Sequence, residues 1–192
     1  MKGSYVDLQD NYILIREIDP NKNKKEFWLM NIGSFVLLIP FFIIYFFLNP
    51  DFRIEFGFSR LLISFLLIVS IILLIPVHEL IHGLFFKLFG NGKLKFGFHG
   101  FAFSCSMPSH YFNKRAYTLI GLAPLIIISI ITGALSIFMY KSDYFIIPYA
   151  VLAINFSSSI GDIYVIFVLF KYKKTVLVND IGVAMRFYDK KP

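Results

Sequence analysis

The sequence predicts an all-α polytopic membrane protein with four transmembrane helices and a short β-like segment between the second and the third. Composition is the first reason, because 57% of the 192 residues are hydrophobic and the mean hydropathy is +0.70, far above the range of water-soluble domains. Length is the second reason, since four stretches reach the roughly 20 residues that a helix needs to cross a bilayer. These stretches are Phe27–Leu48, Leu61–Phe86, Ala116–Tyr140 and Tyr144–Phe170. We expect one integral-membrane domain over residues 1–192.

Charged residues lie almost entirely outside these four stretches. The segments that precede, separate and follow them contain 5, 2, 5, 1 and 6 lysines and arginines, in chain order. The positive-inside rule therefore predicts that residues 1–26, the loop 87–115 and the tail 171–192 are cytoplasmic, and that the two short loops are external. Basic residues that flank membrane spans indicate contacts with membrane lipids rather than with a nucleic acid. The sequence specifies no oligomeric state.

The segments outside the spans carry weaker signals. Val6–Ile18 fits a short helix or a strand equally well, and the following span, Phe27–Leu48, is too long for a cleaved signal peptide. After a turn at residues 90–92, apolar residues alternate with others at period two, with a register change near Gly100. This pattern predicts one or two short strands. A further short strand is expected at Thr175–Val178.

The second span contains the sequence His78-Glu79-Leu80-Ile81-His82. Ionisable side chains are costly at membrane depth, so such a cluster indicates a functional site. Positions i and i+4 share one helix face, which lets both histidines reach a single metal ion. Glu79 then lies where a carboxylate can take a proton from a metal-bound water. The motif predicts a zinc peptidase with Zn²⁺ as cofactor and Glu79 as catalytic base; two histidines satisfied by neighbouring helices are the structural alternative.

A catalytic zinc normally has three protein ligands, and depth in the membrane favours Asp162 as the third. His78 lies nine residues before Lys87, and Asp162 lies nine residues before Lys171, on spans that run in the same direction. Both are therefore about 13–14 Å from a basic boundary. Gly161 is expected to let the two helices approach closely. Two histidines of the loop, His99 and His110, are the competing candidates.

Polar residues of the fourth span recur at helical spacing and indicate a face turned toward the bundle interior. These are Asn155, Ser158, Ser159 and Asp162. Asn155 could hydrogen-bond a substrate or stabilise an oxyanion, and it could equally tie two helices together. In the third span, Gly121 and Pro124 indicate close helix contact and a local disturbance of hydrogen bonding.

These motifs together resemble those of a bacterial family of membrane zincin peptidases and, more broadly, of the intramembrane metalloproteases known as site-2 proteases. The resemblance covers His78–Asp162. It implies a three-helix core with a membrane-associated β segment, with His78, His82 and Asp162 as metal ligands and Glu79 as the base. The aspartate region departs from the site-2 protease pattern, because the proline of that pattern is missing and Gly161 precedes the aspartate rather than following it.

The function that these residues predict is hydrolysis of peptide bonds in a membrane-protein or peptide substrate, within or beside the bilayer. Two alternatives from other classes stay open. The first is a non-catalytic relative that uses the polar cluster structurally. The second is a proton- or metal-linked transporter, because acidic residues and histidines at membrane depth also form relays. Four spans without an inverted repeat are atypical of a transporter.

Overall fold

The computed structural model describes residues 3–49, 57–99 and 102–191, and 61% of them are helical. Five α-helices are present in these ranges: α1 (Lys24–Leu48), α2 (Phe58–Phe89), α3 (Lys114–Phe138), α4 (Ile146–Ser158) and α5 (Ile160–Phe170). A short 3-10 helix, Asp143–Phe145, leads into α4. The expected external loop between the first two spans lies mostly outside the described residues, as does the expected bend at Gly100.

Three of the helices, α1, α2 and α3, are long and apolar enough to cross a membrane. Their ends agree with the first three predicted spans within three residues. The predicted fourth span is a broken helix, because α4 and α5 are bent by 42° relative to each other, and it counts as a span only if the pair is taken as one. Large apolar side chains such as Phe47 and Phe138 are largely exposed on the helices. These features indicate a membrane protein.

The prediction of an all-α fold is wrong, because the described residues also form a five-stranded antiparallel sheet. Its strands are β1 (Ser4–Tyr5), β2 (Tyr12–Ile18), β5 (Tyr111–Asn113), β6 (Leu177–Asp180) and β7 (Met185–Lys190), in the order β1-β5-β6-β7-β2. Three separate parts of the chain meet in it: the segment before α1, the segment just before α3, and the tail after α5. The longest pairing joins β2 to β7, which are more than 160 residues apart along the chain.

The five-stranded sheet packs one face against the helices. Phe112, Val178 and Phe187 are fully buried and share one core with Ile120 of α3 and Leu169 of α5. Burial of this apolar surface is the main force that holds the sheet in place. The sheet therefore lies at the end of the bundle where α3 begins and α5 ends.

A second, two-stranded sheet confirms the predicted strands between α2 and α3. It is the hairpin of β3 (Lys95–His99) and β4 (Ala102–Ser106). The hairpin approaches α2 closely at Gly83, where an added Cβ would lie 3.2 Å from the Cys105 sulfur. A larger residue at this position would push β4 away from the helix.

Two weaker expectations are also settled. The segment Val6–Ile18 forms a strand over Tyr12–Ile18, and the tail strand begins two residues later than expected, at Leu177. The aromatic and β-branched residues of Tyr12–Ile18 suit strand pairing. Gly121 does allow close helix packing, since an added Cβ would lie 3.1 Å from the Ile166 side chain of α5.

Candidate metal centre

The two motif histidines lie one turn apart on α2. His78 and His82 are both buried, and their ring centroids are 5.0 Å apart. The surrounding residues of α2 are apolar and form a continuous helix through Pro76. The helix therefore supplies both imidazoles from one face, as the four-residue spacing requires.

Asp162 lies in the first turn of α5, directly after the bend at Ser159. Its Oδ2 is 3.2 Å from His78 Nε2, and its Oδ1 is 3.5 Å from His82 Nε2. The depth comparison predicted that Asp162 and His78 lie at one level, and the structure brings their side chains into contact. The expected close approach at Gly161 is wrong, because an added Cβ there would meet open space. The bend at Ser159 turns this glycine toward a cleft rather than toward a helix.

The other ring nitrogen of each histidine is held by an oxygen. His82 Nδ1 is 2.9 Å from the Ile120 carbonyl oxygen, and His78 Nδ1 is 3.3 Å from Asn155 Oδ1. Asn155 is fully buried, and its amide nitrogen donates to the Leu125 carbonyl and to the Ser129 hydroxyl. These bonds fix its oxygen as the group that faces His78. Each imidazole therefore carries its proton on Nδ1 and directs Nε2 at Asp162.

This arrangement fits a zinc ion. With its proton on Nδ1, a neutral imidazole presents a bare lone pair at Nε2, and a shared zinc ion would then satisfy both imidazoles and the Asp162 carboxylate, as a second proton on each ring would where no metal is bound. Ligand atoms about 2.0–2.1 Å from a tetrahedral zinc are about 3.3 Å from each other, and the two measured nitrogen–oxygen distances are 3.2 and 3.5 Å. Oxygen contacts on the far ring nitrogens are also typical of zinc-bound histidines.

Glu79 is the third member of the motif. One ligand atom from each of His78, Glu79 and His82 lies within 4.8 Å of the others, so these three residues could also hold a metal. The Glu79 carboxylate accepts a 2.6 Å hydrogen bond from the Cys105 backbone N–H of β4. It therefore lies between the candidate metal centre and the hairpin. Cys105 is buried, and burial raises the pKa of its thiol, which makes it a poor nucleophile.

A cleft of about 240 Å³ opens beside these groups. Its walls come from α1, α2, α3 and α5, from β4, and from β6, β7 and the turn between them, and they include Glu79, His82, Phe103, Asp162 and Asp180. Most of the lining is apolar, and the ionisable groups Glu79, His82, Asp162 and Asp180 are set into it. A peptide bound in this cleft would lie next to the Glu79 carboxylate.

The competing ligand candidates have different surroundings. His110 is buried, but its Nδ1 bonds to Ser109 Oγ at 3.0 Å and its Nε2 to Asn91 Oδ1 at 2.9 Å. Both nitrogens are thus engaged with loop residues. The side chain of His99 lies outside the described part of the structure. Among the described side chains, Asp162 is the carboxylate in contact with both motif histidines.

One polar pair in the cleft could not be predicted from the sequence. Tyr117 of α3 donates a 2.7 Å hydrogen bond to Asp180 Oδ2, and the Gly182 backbone N–H donates to Oδ1 at 2.9 Å. Both side chains are buried. Burial raises the pKa of the Asp180 carboxyl to about 7. In the sequence, Asn179-Asp180-Ile181-Gly182 indicates only a turn.

Comparison with known proteins bears on the helical part of the chain. A family model described as "Putative zincin peptidase" matches residues 71–177, which is more than half of the chain and includes the whole candidate metal centre. No curated protein and no solved structure matches the sequence. The match ends before Asp180 and includes neither β1, β2 nor β7. The chain belongs to this family of zincin peptidases.

Proposed function

We propose that this protein is an integral-membrane zinc metallopeptidase that hydrolyses peptide bonds in membrane-embedded or membrane-adjacent substrates. One observation carries the proposal: two histidine Nε2 atoms converge on the Asp162 carboxylate beside a cleft that Glu79 also lines. Family membership supports the zinc peptidase class. The buried position of the centre between apolar helices supports a reaction at the membrane.

In this proposal His78, His82 and Asp162 hold the zinc. When bound, zinc polarises the scissile carbonyl and lowers the pKa of a water molecule toward neutrality. Glu79 accepts the proton of the attacking water and transfers it to the leaving amine. The Cys105 N–H orients the Glu79 carboxylate. Asn155 and the Ile120 carbonyl orient the two imidazoles, so we assign Asn155 a positioning role instead of the expected substrate contact.

Strand β4 offers a surface for an extended substrate. Its Cys105 N–H points at Glu79 and therefore away from its partner strand β3. Backbone groups alternate in direction along a strand, so the N–H of Phe103 faces the same edge as that of Cys105. A substrate segment can add to this edge as another strand, with main-chain hydrogen bonds that do not depend on its sequence. This places a peptide bond next to the proposed base.

The five-stranded sheet supports the predicted topology. The segment before α1, the segment before α3 and the tail pair with one another, so all three must lie on one side of the membrane. These are the three segments richest in lysine and arginine. We therefore propose that both chain ends are cytoplasmic. The broken α4–α5 pair and the β3–β4 hairpin likewise support a relationship to site-2 proteases, on the level of architecture.

The test is the Glu79→Gln substitution in the purified full-length protein. We expect one zinc per chain in both forms, because glutamine leaves the three ligands in place. Peptide cleavage should fall about 100-fold or more, because a general base is lost. Asp10→Asn, at an exposed turn, is the matched control and should keep both zinc and cleavage.

The alternative functions give different results in the same preparation. A folded, metal-free wild-type protein would contradict the proposal and favour the non-catalytic alternative. Cleavage that persists in Glu79→Gln would contradict the assigned base. Ion flux through liposomes that contain the protein, without peptide cleavage, would favour the transporter.

A further inference from the structure

The turn between β6 and β7 brings a carboxylate of the tail into the cleft. Asp180 is the last residue of β6, and Gly182 and Val183 of the turn also line the cleft. Gly182 has a φ of 105°, a conformation that favours glycine, and an added Cβ would lie 3.3 Å from Ser104 Oγ of β4. The turn therefore lies beside β4, the strand proposed to bind the substrate.

Asp180 is the carboxylate of the cleft that the proposed chemistry does not use. The cleft lining contains three acidic residues, Glu79, Asp162 and Asp180, and no lysine or arginine among the described residues. Glu79 and Asp162 together offset the two positive charges of one zinc ion. Within the described part of the chain, no ion pair involves Asp180. A bound cation would supply the missing counter-charge.

The carboxylate has room for one more donor. Its two oxygens each accept one hydrogen bond, from the Tyr117 hydroxyl and from the Gly182 N–H. An ionised carboxylate has about four acceptor positions, so two remain. The Tyr117 and Gly182 contacts hold the group in one orientation, which suits selection of a ligand. Burial raises the pKa of Asp180 to about 7, and an incoming cation would favour the ionised form.

The substrate class supplies the cation. Membrane spans carry lysine and arginine at their cytoplasmic ends, and the five-stranded sheet lies at the end of the bundle that we propose to be cytoplasmic. A substrate in the cleft would therefore direct its basic flank toward the β6–β7 turn.

We propose that Asp180, oriented by Tyr117, forms a specificity subsite for a lysine or arginine side chain of the substrate. The inference rests on the proposed peptidase function and extends it by naming the substrates: spans cut near a basic flank. The family match ends at residue 177, so Asp180 lies outside the matched residues whereas Tyr117 lies within them.

The experiment uses the full-length, zinc-loaded protein in lipid nanodiscs and a set of apolar peptides. In each peptide a single lysine occupies one position on either side of the scissile bond, and its partner peptide has norleucine there. We expect one position at which lysine raises kcat/KM about 10-fold or more over norleucine. Asp180→Asn should abolish this preference and leave cleavage of the norleucine peptide within about three-fold of wild type. Asp189→Asn, at a half-buried carboxylate of the same sheet that bonds to Thr175, should retain the preference.

A binding measurement separates recognition from turnover. Zinc-loaded Glu79→Gln should bind the preferred lysine peptide about 10-fold more tightly than its norleucine partner, and Glu79→Gln combined with Asp180→Asn should bind both equally. Equal cleavage of all lysine and norleucine pairs by the wild-type protein would overturn the subsite and leave the peptidase proposal intact, even if Asp180→Asn did not fold. A lysine preference that survives in Asp180→Asn would also overturn it. Absence of both zinc and cleavage in wild type would overturn the proposed function, and the subsite with it.

Discussion

The cleft has two walls of different origin. The helix wall contains Glu79, His82 and Asp162, and the sheet wall contains Asp180 and the turn residue Val183. The helix wall lies within residues 71–177, which match the family, whereas the sheet wall lies beyond them. The groups to which we assign metal binding and proton transfer lie in the helix wall. The residues that we assign to metal binding and proton transfer therefore lie in a different part of the chain from Asp180, the proposed specificity residue, so changes in the two walls should have different consequences.

The largest effect is expected for Asp162→Ala, in the helix wall. Loss of this carboxylate leaves two histidines, so zinc affinity should fall by more than the roughly 10–100-fold that loss of an outer contact costs, and cleavage should vanish. Asp162→His should recover part of the zinc, because imidazole is also a zinc ligand. Zinc per chain and a chelator competition measure both variants.

Asp143→Asn is the matched control, because Asp143 is exposed and pairs only weakly with Arg60, at 3.7 Å. It should retain full zinc. If Asp162→Ala also retained full zinc, the third ligand would have to be sought at His99 or His110, and the division between the two walls would lose its basis.

A smaller effect is expected at Asn155, which contacts the proposed zinc ligand His78 rather than the zinc itself. Asn155→Leu removes the oxygen that holds His78 Nδ1, so zinc affinity should fall about 10–100-fold. The protein should still bind zinc at saturating concentration, because all three ligands remain. Ser34→Ala removes a hydrogen bond between α1 and α4 that does not touch the histidines and is the control. An Asn155 variant with wild-type zinc affinity and a raised KM would favour the substrate contact that the sequence suggested.

The helix wall could be predicted from the sequence for local reasons. His78 and His82 are four residues apart on an apolar helix, so their common face follows from helix geometry alone. Asp162 is 80 residues further on, yet its depth followed from its distance to a basic boundary. In a membrane helix, the distance of a residue from the basic boundary thus predicts its depth along the bilayer normal. Soluble folds have no such reference.

The sheet wall could not be predicted in the same way. Its strands have two to seven residues, and the pairing partners Tyr12 and Lys190 come from opposite ends of the chain. Strands this short carry little periodic signal. Pairing between strands so far apart in the sequence produces no local sequence pattern. Tyr117 and Asp180 meet only because the sheet packs on α3. The error at Gly161 has a similar origin, since the bend at Ser159 could not be read from the sequence.

The smallest effect on the metal centre is expected at His110, which lies outside both walls. His110→Gln should leave zinc per chain unchanged, because both ring nitrogens bond to Ser109 and Asn91. Burial, with a smaller contribution from Lys87, lowers the pKa of His110 below its usual value. The unfolded chain therefore binds a proton at His110 more readily than the folded chain does. The contribution of His110 to the free energy of unfolding is fully present above about pH 6.5 and is lost as the pH decreases.

Thermal unfolding between pH 7.5 and pH 5 measures this contribution. The wild-type protein should lose more stability over this range than His110→Gln does. Loss of zinc in His110→Gln at pH 7.5 would instead identify His110 as a ligand and would contradict the separation of this loop from the helix wall.

X-ray absorption at the zinc edge of the purified wild-type protein tests directly whether His78, His82 and Asp162 bind one zinc ion. We expect a first shell of nitrogen and oxygen at about 2.0–2.1 Å, with outer-shell scattering from two imidazole rings and no sulfur. Scattering from three imidazoles would place His99 or His110 in the centre. A sulfur shell at about 2.3 Å would require Cys105. Either result would contradict the ligand set on which the helix wall and the proposed chemistry depend.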